Sequence, residues 1–217
     1  MKKAIVITLV IFIAGVNLYS QNNNFKPVAL FGIRQGVNFS FVDFSPTVNY
    51  NLLPGYNGGL VFKYANEKFF ALQIELNYSQ KGWEENLDTI SNSYSRRLDY
   101  IELPFMTHIY LGNRNLKYFL NLGTSVAYLI SEKESVKIGN ELYVREYYTK
   151  TIENKFDFNI VGELGLTYNS NFGVFQFGAR YYYTLTDIFE YTSESVYDLS
   201  RNQVINLSLT YFISSEK

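Results

Sequence analysis

The chain of 217 residues carries 19 basic and 20 acidic side chains, a formal charge of −1. So even a balance excludes a nucleic-acid partner, which would require a basic surface. The chain has no cysteine, which excludes a disulfide framework, a thiolate metal site and a thiol nucleophile.

Residues 1–20 read as a secretory signal peptide, cleaved after Ser20. Lys2 and Lys3 supply the positive start, and Ala4–Val16 is an apolar run too short to span a bilayer as a helix. Residues 21–217 then form a single domain. Within it, eight segments alternate apolar and polar residues with period two: Leu30–Phe41, Tyr56–Tyr64, Phe70–Gln80, Leu98–Leu111, Tyr118–Ile130, Phe156–Tyr168, Phe172–Leu185 and Val204–Ile213. Such alternation predicts β-strands with one apolar face. The third shows it best: Phe70, Leu72, Ile74, Leu76 and Tyr78 share one register, and Ala71, Gln73, Glu75, Asn77, Ser79 and Lys81 the other. Pro104 inside the fourth cannot donate a ladder hydrogen bond, so a bulge or strand end is expected near it.

The connections alternate long and short without exception. Asn169–Asn171 is a tight turn, whereas Ser131–Lys155 is long enough for a hairpin around Lys137-Ile138-Gly139-Asn140. An up-and-down barrel crossing a membrane places every second loop on one side, and outer-membrane barrels keep short turns in the periplasm and long loops outside. An even strand count places both termini in the periplasm.

Which face meets lipid is a separate question, because a soluble barrel is apolar within. The apolar register is bulky throughout (Phe31, Ile33, Val37, Phe39; Ile101, Leu103, Phe105, Ile109), with Gln35, Thr107 and Thr124 as mild exceptions. The polar register is mostly small (Gly32, Gly36, Asn38, Ser40; Asn121, Gly123, Ser125, Ala127), which suits a crowded lumen better than a washed surface. Aromatics gather at both strand ends: Tyr64, Phe70, Tyr118, Tyr168, Phe172 and Tyr211 near the short turns, and Phe41, Tyr56, Tyr78, Tyr128, Tyr181 and Tyr183 near the long loops. Two girdles a bilayer apart are the mark of a membrane barrel. The predicted fold class is all-β: an eight-stranded antiparallel up-and-down transmembrane β-barrel in the Gram-negative outer membrane.

Several pieces resemble a known group: Gly36-Val37-Asn38-Phe39-Ser40, Glu75 to Gly82, Tyr100 to Phe105, Phe156 to Gly165, and Ala179 to Ile188. In that order they resemble the small PorT-like outer-membrane β-barrel family of Bacteroidetes. The resemblance implies an eight-stranded barrel, usually without an assigned activity; one member is tied to protein secretion. Thr184 and Glu163 stand where the family often has glycine and a small residue, and the chain does not end on an aromatic.

The inward register holds Arg34, Lys63, Glu75, Glu102, His108, Asp157, Glu163 and Arg180. In so narrow a lumen these are expected to pair into a neutral structural plug, since isolated buried charges are costly. No catalytic residues are expected. His108 with Ser79 and a glutamate would suggest a lipid hydrolase, but the two fall at opposite strand ends. One histidine without cysteine is a poor metal set, and no helix follows Gly32 and Gly36 to make a phosphate loop, so neither metal nor cofactor is expected. Trp83, Tyr94, Tyr143, Tyr147, Tyr148, Tyr191 and Tyr197 fall in the long loops as candidate extracellular contacts. The expected role is a non-enzymatic structural or surface-interaction barrel. The alternatives are a narrow channel or small-ligand carrier, and an accessory component of a secretion or assembly complex. Expected partners are outer-membrane lipid, the barrel-assembly machinery during insertion, and a surface or envelope protein of unknown identity.

Overall fold

The computed structural model describes residues 26–45, 48–65, 67–85, 93–113, 115–137, 150–189 and 199–213. The leader segment 1–20 and the hairpin tip at 138–140 lie outside them. Nine strands form: β1 (Val28–Ser45), β2 (Tyr50–Asn51), β3 (Leu53–Ala65), β4 (Phe70–Glu85), β5 (Ser93–Gly112), β6 (Leu116–Lys137), β7 (Phe156–Ser170), β8 (Gly173–Thr184) and β9 (Leu199–Ile213). Apart from the two-residue β2, which pairs with the end of β4, they match the eight expected segments. The described residues contain no helix.

Every long strand pairs antiparallel with its neighbours in sequence. The ring closes where β9 meets β1, from Phe31 opposite Ile213 to Ser45 opposite Leu199. Closure satisfies the backbone without an open edge, the condition for a sheet to stand in hydrocarbon.

Burial is inverted relative to a soluble barrel. Phe31, Leu60, Leu76, Leu103, Leu164 and Leu207 are exposed, while Arg34, Glu75, Glu102, His108, Glu163 and Arg180 are buried. The outward belt carries the two expected aromatic rims, with Tyr64, Phe70, Tyr118, Tyr168 and Phe172 exposed at the short-turn end and Tyr56, Tyr128, Tyr181 and Tyr183 at the other. Phe41 and Tyr78 are half-covered because Phe41 stacks on Tyr50 at 4.7 Å and Tyr78 lies 6.3 Å from Tyr56. Of the polar exceptions, Gln35 accepts a hydrogen bond from the Tyr56 hydroxyl at 2.5 Å; Thr107 and Thr124 are exposed on the outer face.

Two expectations need correction. The strand through Pro104 neither ends nor bulges there. Pro104 keeps its place opposite Ser125, and the missing donor shows as a gap in the β4 ladder between Ile74–Phe105 and Asn77–Glu102. The irregularity lies higher, at Asp99/Tyr100, where the register against β6 skips Ile130.

The second correction concerns strand length. β5 and β6 run 20 and 22 residues, about twice the 9–11 needed to cross a bilayer. The outward apolar residues on β6 stop at Ile130, and Glu132, Lys133, Glu134 and Ser135 above it are exposed and polar. The wall therefore rises past the apolar belt at the long-loop end, with Ser93–Asp99 paired to Ser131–Lys137.

If acyl chains wet the outer face, an arginine mid-belt must be expensive. Leu164→Arg is expected to lower unfolding free energy in lipid vesicles by about 2–4 kcal/mol, and Leu111→Arg at the short-turn rim by roughly 0–1 kcal/mol. Equal small effects from both would contradict a lipid-facing belt.

Candidate functional site: a layered polar lumen under an aromatic cap

Alternation aims every second residue inward, and eight strands leave a lumen that side chains can fill. At mid-height two arginines interlock with two glutamates. Arg180, on β8, donates to both Glu75 oxygens at 2.6 and 2.9 Å and to Glu163 at 2.8 Å. Arg34, on β1, donates to Glu163 at 2.9 Å and to Asn206 at 2.8 Å, and stands 3.7 Å from Glu75. Gln73 and Asn77 donate to Glu75, and Asn121 to Glu163. All four charged side chains are fully buried. Gly178 belongs to this layer: a Cβ there would stand 2.3 Å from the Glu163 carboxylate.

Above this layer, Lys81 bridges Glu102 at 3.2 Å and Asp157 at 3.1 Å, with the rings of Tyr100 and Tyr182 on either side. Ser125 donates to Glu102, Asn159 to Ser125, and Thr184 to Asn159. Below it, at the short-turn end, His108 contacts Asn121 through Nδ1 at 2.5 Å and Lys63 through Nε2 at 3.3 Å. Asn121 gives its amide protons to Glu163 and so presents its oxygen to His108. The histidine Nδ1 is thereby the donor and Nε2 the acceptor for Lys63.

All eight inward residues expected from the sequence therefore lie in the lumen, joined by one network except for Glu102 and Asp157, which pair with Lys81. Lys81 was missed as a member. It shares the register of Glu75 and Asn77 but lies one residue past the expected end of its strand at Gln80, whereas the observed strand continues to Glu85. His108 and Ser79 do not meet. Ala71 is opposite His108 and Ser79 opposite Tyr100, an eight-residue offset of roughly 26 Å along the strand, and Ser79 accepts from Asn38 instead.

The structure places Trp83 and Tyr94 elsewhere than expected. Neither is in an exposed loop. Both are fully buried, pointing inward from the raised parts of β4 and β5. With Val42, Phe44, Leu98, Ile188 and Phe189 they form an apolar cluster that caps the lumen. Phe44 and Phe189 meet Trp83 edge-on at 5.6 and 6.5 Å. Arg96 lies over Trp83 and Phe189 and donates to Glu132 at 2.9 Å and to the Lys150 carbonyl at 2.6 Å. Tyr94 donates to Glu134 at 2.6 Å; burial, and then this bond, push its phenol pKa up. The physical reason is strand length: once the wall continues upward, the same alternation that buries Lys81 buries Trp83. Tyr143, Tyr147, Tyr148, Tyr191 and Tyr197 lie outside the described residues. Among the described residues no cluster of three or more potential metal ligands occurs.

A closed, antiparallel up-and-down ring, apolar outside and polar within, defines a transmembrane β-barrel. Residues 19–190 match the family described as outer membrane protein beta-barrel domain, and the chain belongs to that family. Similar solved structures include the attachment invasion locus protein Ail of Yersinia pestis, 13% identical over 85% of this chain and 99% of that one (TM-score 0.43). They also include OprG of Pseudomonas aeruginosa, 12% identical over 87% and 97% (TM-score 0.47), and the outer membrane enzyme PagL, 13% identical over 84% and 98% (TM-score 0.37). No curated protein sequence matches the chain.

Two outcomes follow from this geometry. Arg180→Ala leaves two buried carboxylates short of their main partner, and a loss of about 3–5 kcal/mol is expected in urea unfolding in micelles; an unchanged midpoint would contradict the interlocked pairs. Trp83 is the single tryptophan of the chain. Its fluorescence is expected to be blue-shifted and resistant to iodide and acrylamide, whereas a loop tryptophan would be quenched freely.

Proposed function

We propose that the protein is a non-enzymatic outer-membrane barrel that presents its raised, long-loop wall to a surface or envelope protein, and that it conducts nothing. The observation that carries this reading is the combination of a wall continuing past the apolar belt with a lumen filled by ion pairs and capped by aromatics. A wall that served only to cross the bilayer would need about half that length. In this reading the cleaved chain has both termini in the periplasm and the raised wall outside, as the short-turn rule for such barrels implies. Within the family, the motif pieces around Glu75–Gly82 and Tyr100–Phe105 favour the PorT-like small barrels.

The alternatives make different demands. A channel or carrier needs a continuous path, yet Arg34, Arg180, Glu75 and Glu163 meet across the lumen. A hydrolase needs a nucleophile beside a base, yet Ser79 and His108 are separated. An accessory role in a secretion or assembly complex shares the prediction of a protein partner and differs only in which one.

Photo-crosslinking residues placed at Lys133 and Ser135, exposed on the raised wall, are expected to give a discrete adduct in intact cells. The purified barrel is expected to show no discrete openings in planar bilayers. Absence of any adduct together with stepwise conductance would overturn the reading in favour of a channel.

A further inference from the structure

The short-turn end of the barrel opens into a vestibule of about 630 Å³, within the range of small-molecule sites. Its lining is electrostatically one-sided. Among the described residues, Lys63, Lys68, Lys117 and His108 contribute to it and no aspartate or glutamate does. Lys68 and Lys117 stand at the mouth, exposed and half-buried, with Lys117 4.8 Å above the Tyr110 ring. Lys63 lies deeper and is buried.

Lys63 is the anomaly of the lumen. By contrast, Arg34, Arg180 and Lys81, deep in the same lumen, each contact two carboxylates. The Lys63 ammonium contacts Gln176 Oε1, His108 Nε2 at 3.3 Å and the face of Phe212 at 4.5 Å, all of them neutral. Glu163 is the nearest acidic member of the network in hydrogen-bond order, and it is already occupied by Arg34, Arg180 and Asn121. A buried ammonium without an anion is costly. Two further groups beside it are also open: Gln176 Nε2 and Thr167 Oγ1 are buried donors with no hydrogen-bond partner, and Thr167 lines the vestibule.

We infer that this vestibule is a binding site for a small molecule bearing an oxyanion, a phosphate or a carboxylate group. Lys63 is the deep charge partner, backed by Gln176, Thr167 in the lining is a neutral donor, and Lys68 and Lys117 attract the anion at the mouth. Charge-assisted hydrogen bonds of this kind are strong when desolvated. The site is independent of the surface role proposed above, since it lies at the opposite end of the lumen from the aromatic cap.

His108 is the only histidine of the chain and touches Lys63, so its ring signals in an NMR spectrum report this site without assignment ambiguity. The full mature chain in maltoside micelles, which carry no phosphate, would be titrated with inorganic phosphate and separately with citrate, at constant ionic strength set with sodium chloride. A saturable shift of the His108 signals with phosphate alone identifies a phosphate site, with citrate alone a carboxylate site, and with both a general oxyanion site; each supports the inference. Lys63→Met is expected to weaken binding at least about tenfold, which corresponds to roughly 1.4 kcal/mol. Because a core variant can fail to fold, Lys68→Gln and Lys117→Gln at the mouth provide the second arm, and their combination is expected to weaken binding about three- to tenfold by loss of two charge-assisted contacts. No saturable shift with either anion, or one that the mouth variants leave unchanged, would overturn the inference.

Discussion

A peptide N–H or C=O immersed in hydrocarbon can be satisfied only by the strand beside it, so the sheet must close on itself. Closure at eight long strands fixes a lumen just wide enough for side chains, and the remaining features follow from that width. Bulky residues are driven outward, where acyl chains accept them. Inward positions go to small residues or to polar ones that find partners across the axis. Gly178 yields its space to Glu163, and Gly123 lies where a Cβ would strike the Phe105 carbonyl at 2.0 Å.

The lumen is stratified by the chemistry of its fillers. Neutral contacts surround Lys63 at the short-turn end, interlocked arginines and glutamates hold the middle, Lys81 serves two carboxylates above them, and an apolar cluster with Arg96 across its face closes the top. A hydrogen-bonded line runs from Lys63 through His108 and Asn121 to Glu163 and on to the two arginines. Such a network is favourable only when its members are satisfied. In the middle layer Glu75 and Glu163 each accept from three side chains, and the two proposed contact sites lie at the ends beyond it.

Strand identity, sidedness and the inward cluster were legible in the sequence because period-two alternation encodes them directly. Leu103 out and Glu102 in need no knowledge of neighbours. Strand length was not legible, because above Ile130 the outward residues turn polar and the alternation loses its contrast. Glu132 to Ser135 read as loop although they remain paired to β5. The same shortfall at the ends of β4 and β5 sets Trp83 and Tyr94 in loops and keeps Lys81, though in the inward register, out of the expected cluster. Pro104 misled in the other direction, since a missing donor was absorbed by a gap in one ladder rather than by a bulge. Thr184 and Glu163, which depart from the motif the chain resembles, both sit in the polar network, Thr184 on Asn159 and Glu163 between two arginines.

The most direct test of the whole account is the direction each face of a strand points. The chain lacks cysteine, so single cysteines from Tyr118 to Ile130 can carry a spin label in lipid vesicles. The account predicts that accessibility to dissolved oxygen, which concentrates in the acyl region, rises and falls with period two and peaks at the even-numbered positions of β6. Peaks at the odd-numbered positions, or no alternation at all, would contradict it.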